Sequence, residues 1–110
     1  MELQSMSVTL RDAMHEARAI ASKLETLARD WALAEKEYQI AKTREVMGLK
    51  DGGMAVTLIN ETVRGVEHIA ELKYKRDLAA EVLKANHRLL QVLGDSMSAT
   101  QSLLKYQSEV

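Results

Sequence analysis

The stretch from Thr57 to Gln107 constrains this chain more than any other. A largely apolar row recurs through it at steps of three and four: Leu58, Thr62, Val66, Ile69, Leu72 and Ala79, then Leu83, Leu90, Leu93, Met97 and Leu104. That step is the one a helix seam of coiled-coil type requires. A single helix over the stretch would measure ~76 Å at 1.5 Å rise per residue. Apolar surface of that length is unfavourable in water, so an earlier helix, a second copy of the chain, or both must cover it.

The first half of the chain supplies a matching stripe. Leu10, Met14, Ala17, Ala21, Leu24, Ala28, Trp31, Ala34, Tyr38 and Ala41 follow the same spacing, with Arg18, Glu25, Glu35 and Lys42 between them. The alanines let a partner helix approach closely, while Leu24, Trp31 and Tyr38 fill the wider layers. Thr9 with Asp12 three positions on has the form of a helix cap, which places helix one at about 9–47 and makes residues 1 to 8 a frayed lead-in. Three glycines between Gly48 and Gly53 remove helix propensity, so the turn is expected over 48–56. Thr57 then caps a second helix over about 57–107, with Gly65 and Gly94 as the two places where it can break.

One short turn between two long helices dictates an antiparallel pair. The expected fold is therefore all-α: a single domain over 1–110, a long antiparallel helical hairpin, coiled-coil-like in its packing. Its seam takes Leu24, Trp31 and Tyr38 from helix one. From helix two it takes Ile69, Leu72, Leu83, Leu90, Leu93, Met97 and Leu104. Further apolar residues, Ile20, Leu27, Leu33, Ile40, Val82, Leu89 and Val92, widen the face beyond what two helices cover. Self-association into a four-helix bundle or larger homo-oligomer is the expected remedy, and a three-helix monomer folded back at Gly94 is its rival.

Composition narrows the function classes. With 46% hydrophobic and 28% charged residues the chain is an ordinary folded one, and no Pro, no Phe and 4% aromatics suit helices packed along their lengths. There is no Cys, which removes disulfides, thiolate chemistry and Cys zinc sites. Fifteen basic and sixteen acidic residues are interspersed along both halves of the chain to a net charge of −1, so no global field draws in nucleic acid or an anionic membrane. The start, Met1-Glu2-Leu3-Gln4, has no basic and apolar leader, and no apolar run approaches the ~18 residues of a membrane span. A cytoplasmic protein without a membrane partner is expected.

The catalytic inventory is thin. Asp12, His15 and Glu16, and again Glu67, His68 and Glu71, gather metal-capable side chains within a helical turn. The Glu-x-x-His repeat of di-iron bundles is absent, and no metal or cofactor is expected. His87 has no carboxylate three or four residues away to orient it as an acid or base. Gly52-Gly53 lacks the Lys and helix start of a phosphate loop, so an enzyme is not expected. The densest basic segment is Lys73-Tyr74-Lys75-Arg76, followed by Lys84 and Arg88, and these five cations are the candidates for nucleic-acid contact. Pairing of Glu71 with Lys75 and of Lys73 with Asp77, with Glu81 near Lys84, neutralises much of that charge within the helix.

The order of these pieces resembles a group of small helical phage and prophage proteins of the early or recombination gene region. The resemblance is carried by the first helix ending around Tyr38 and Lys42, the glycine turn, Val56-Thr57-Leu58-Ile59 and Val63-Arg64-Gly65. It continues through Leu72, the Asp77 to Glu81 segment and Ser102-Leu103-Leu104-Lys105-Tyr106. It implies a cytoplasmic accessory protein of phage DNA replication or recombination and supplies no reaction and no binding residue. The function expected is thus a non-catalytic interaction protein with itself and an unidentified protein as partners, and the alternative is direct nucleic-acid binding.

Overall fold

A computed structural model describes residues 3–109 as three α-helices, α1 (Leu3–Asp51), α2 (Val56–Arg64) and α3 (Glu67–Glu109). The fold is all-α, and the helices pack as a helical hairpin. Among the described residues no helix is long and apolar enough to cross a membrane. The chain divides into two compact units, a turn unit of Leu27–Val82 and a terminal unit of residues 3–26 with 83–109.

Helix α1 begins well before the expected start at Thr9. Thr9 is an interior residue whose hydroxyl donates to the Ser5 carbonyl one turn back, at 2.9 Å. The early turns are held by packing rather than by a cap, because Met6 is 1% exposed. A lead-in over residues 1 to 8 is thereby overturned for residues 3–8, and Met1 and Glu2 lie outside the described residues.

In the turn unit α1 continues past residue 47 to Asp51 and ends in a Schellman motif. Gly53 N–H donates to the Lys50 carbonyl at 3.1 Å, and Met54 N–H reaches back to Leu49 at 3.1 Å. Gly53 has φ +87°, the left-handed region where a Cβ is strained. Met54 and Leu49, the apolar pair such a motif brings together, both pack against the unit's core. Gly53→Ala is expected to lower stability by ~1 kcal/mol, read as a shifted urea midpoint. Gly52→Ala, in ordinary backbone, should cost less.

Helix α2 is capped at its start by Ala55 with no side-chain bond, so Thr57 is not the cap but a residue of the first turn. It ends at Gly65, where Gly65 N–H bonds Thr62 and Val66 N–H bonds Val63 at 3.1 and 3.2 Å. Glycine is not required there: φ is −88°, and an added Cβ would meet only the Thr62 carbonyl at 3.7 Å. Packing accounts for the break. A straight helix would present Leu58 and Thr62 along the seam, whereas Ile59 and Val63 sit ~80–120° around the axis from Ile69. The break lets Ile59, Val63 and Ile69 close on Tyr38 in one buried cluster. Leu58 is left 58% exposed and Thr62 is exposed, correcting their place in the expected row.

In the terminal unit α3 runs through Gly94 without a break, and the half-buried row Leu83, Asn86, Leu90, Leu93, Met97, Thr100 and Leu104 alternates steps of three and four. On α1 the matching row is Met6, Leu10, Ala13, Ala17, Ile20 and Leu24. Met14 and Ala21, and Ala28 in the turn unit, are exposed, while Ile20 is buried and Leu27 half-buried. Both readings share Leu10, Ala17 and Leu24 and differ only in which flank they take. Burial goes to the flank with the bulkier Ile20 and Leu27, because more apolar area leaves water there.

Candidate interaction surfaces

The expected seam residues fall into three degrees of burial. Tyr38 and Ile69 are buried, Leu24, Leu72, Leu83, Leu90, Leu93, Met97 and Leu104 are half-buried, and Trp31 is 38% exposed. Two helices cover only one flank of each other, so most of a two-helix seam stays partly wet.

Arg76 occupies a seam position in the turn unit. Its guanidinium donates to Asp77 at 2.9 and 3.0 Å, lies 3.3 Å from Glu35, and stacks on the Tyr38 ring with Cζ 4.4 Å from the centroid. The hydrogen bond to Asp77, then the charges of Asp77 and Glu35, outweigh partial burial and hold the Arg76 pKa above its ordinary value. A cation with so specific a nest fixes which α1 residues oppose α3, since a shift of register strands it. Lys75 lies 3.9 Å from Glu37, and His68 Nε2 lies 3.9 Å from Glu45, both across the helix pair. These pairs join α1 to α3 in antiparallel order.

The five candidate cations do not share one free face. Arg76 is engaged in the seam, and Lys75 is paired across the helices to Glu37. At about 100° per residue Lys73, Lys84 and Arg88 fall within ~60° of one another, and Lys75 lies ~160° from Lys73. Lys73 borders a cleft of about 570 Å³ in the turn unit, together with Tyr38, Lys42, Asn60, Val63, Arg64, Ile69 and Ala70. Its lining holds three cations and no carboxylate, although Arg64 also pairs with Glu61 at 3.3 Å. Lys42 and Arg64 were not among the sequence candidates; their separation along the chain hid a grouping that only the turn creates.

In the terminal unit a shallow groove of about 450 Å³ runs between the helices, floored by Ala17, Leu90 and Met97 and edged by Met14, Ala21 and Gly94. Elsewhere on α3 a second, largely apolar row stands exposed. Leu78, Val82, Ala85, Leu89, Val92, Ser96, Ala99, Leu103 and Tyr106 follow strict steps of four and three, and every one is exposed. Val92 and Leu103 reach 59% and 54%. The row lies ~100° around the axis from the seam that meets α1. From sequence, Val82, Leu89 and Val92 read only as a widening of the first face; the unbroken four-three step from Leu78 to Tyr106 was the signal that it is a face of its own.

Among the described residues no three His, Cys, Asp or Glu side chains come together to hold a metal ion. Compared with protein-family models, with curated proteins and with solved structures, the chain matches none of them.

Proposed function

We propose that this protein is a non-catalytic helical interaction module that associates with itself, with two hairpins forming a four-helix bundle. The observation that carries the reading is the exposed four-three row of α3, a coiled-coil face without an α1 stripe against it. Surface area supports it: the chain of 12.3 kDa exposes 8184 Å². Surface-to-mass scaling gives ~6,100 Å² for a compact monomer of that size. We propose further, on the resemblance to small phage proteins, that the module serves as an accessory factor of DNA replication or recombination in a bacterial cytoplasm.

Light scattering across a dilution series tests the self-association. A mass of twice the chain or more at micromolar concentration is the expected result, and a single-chain mass at every concentration overturns it. The second reading, direct binding of nucleic acid, draws on the cleft bordered by Lys42, Arg64 and Lys73. Under that reading labelled single-stranded DNA is retarded with steep salt dependence, and Lys42→Glu with Lys73→Glu abolishes the shift.

A further inference from the structure

We infer that the second copy seats on the exposed row of α3, helix against helix and antiparallel about a two-fold axis, with Leu89 of each copy opposite Val92 of the other. The inference rests on the self-association proposed above and adds the face, the direction and the register.

Angle selects the face, and the exposed area is sufficient for it. The excess of exposed surface over a compact monomer, ~2,000 Å² per chain, exceeds the ~800 Å² that each partner gives to a standard interface. Neighbouring helices around a four-helix bundle stand about a right angle apart as seen from any one of them. The second row lies ~100° from the first, so α3 can hold α1 on one seam and the partner copy on the other. The groove on the opposite flank of the terminal unit sets Ala17, Ala21 and Gly94 among Met14, Leu90 and Met97, a shorter apolar run than the row from Leu78 to Tyr106.

Charge selects the direction and the register. One flank of the row carries Glu81, Arg88, Asp95 and Ser102, seven residues apart, and Arg88 and Asp95 are both exposed. Neither has an oppositely charged residue three or four positions away on α3, where helical pairs form. In an antiparallel pair with Leu89 opposite Val92, the flanking residues meet so that Arg88 of each copy lies against Asp95 of the other. Two attractive contacts then bracket the centre. A shift of one heptad in one direction sets Asp95 against Asp95. The opposite shift sets Arg88 against Arg88 and Glu81 against Asp95. A parallel pairing faces Arg88 and Asp95 with Leu93 and Thr100, neither of them charged. Only one arrangement satisfies both charges. Further out the same register layers Ala85 on Ser96, Val82 on Ala99 and Leu78 on Leu103.

The test is a charge exchange on the full chain, read by the dissociation constant of the oligomer at low salt and by far-ultraviolet circular dichroism. Arg88→Glu alone and Asp95→Arg alone each turn two attractive contacts into two repulsive ones, and each should weaken association ~10-fold or more with helicity unchanged. Arg88→Glu combined with Asp95→Arg should restore native association. Val92→Asp, at an exposed position, should leave the helices folded and abolish the oligomer. An oligomer indifferent to all of these variants overturns the face and register while leaving self-association standing. Loss on Val92→Asp without rescue in the double variant overturns the antiparallel register. A monomer at every concentration overturns both proposals.

Discussion

Ile69→Asp is expected to unfold the turn unit. Ile69 is 2% exposed and, with Tyr38, Ile59 and Val63, completes a cluster drawn from three helices. The substitution removes a fully buried aliphatic side chain, worth ~2–3 kcal/mol of burial, and sets a carboxylate where no polar partner stands. Together these effects exceed ~4 kcal/mol, a large share of the 5–15 kcal/mol by which folded domains are typically stable. Urea titration followed by circular dichroism should show part of the helical signal already lost at near-zero denaturant. Leu58→Asp is the matched control, because a straight second helix would have buried Leu58 and the observed break leaves it 58% exposed. A shift within ~0.5 kcal/mol is expected for the control. Equal damage from both substitutions would mean that α2 does not rotate its apolar face at Gly65.

Tyr38→Ala should cost ~3–5 kcal/mol, the range for removing a large aromatic side chain from a core. Tyr38 is 7% exposed, and its ring is at once the wall of the cluster and the surface on which the Arg76 guanidinium stacks at 4.4 Å. Losing it opens a cavity beneath Ile59 and Val63 and strips one side from the cation that sets the register. Tyr38→Phe keeps the ring and should retain nearly all the stability. A double-mutant cycle of Tyr38→Ala with Arg76→Gln isolates the stacking, for which a coupling of ~0.5–2 kcal/mol is expected in so partly desolvated a site. Additive effects would show that Arg76 is held by Glu35 and Asp77 alone.

Much of this architecture was legible because its signals are local. The three-four row through Leu83, Leu90, Leu93, Met97 and Leu104, the absence of Pro and the glycines before Met54 all act within a few residues of themselves. The row therefore predicts the face that α3 turns toward α1 in the terminal unit, and the glycines predict the turn. Errors arose where two local answers were nearly equal. Thr9 can cap a helix or bond back one turn within it, and burial of Met6 settles the matter for the second. The stripe of α1 can take Met14 and Ala21 or Met6, Ala13 and Ile20 without changing its period, so only the partner helix distinguishes the flanks. The cleft bordered by Lys42, Arg64 and Lys73 has no period at all and follows from where α2 is laid down.

The sequence by itself determined that the chain would be helical, that it would reverse within 48–56, and that the second half would carry an apolar row at coiled-coil spacing. Backbone propensity and periodicity are properties of neighbours along the chain. The tertiary structure alone decided that the second helix breaks at Gly65 rather than Gly94, since neither glycine has a positive φ or a crowded Cβ to compel a break. At Gly65 the break brings Ile59 and Val63 onto Tyr38. At Gly94 the row from Leu83 to Leu104 already lies in register along α1, and breaking the helix would forfeit backbone hydrogen bonds with no further burial to offset them.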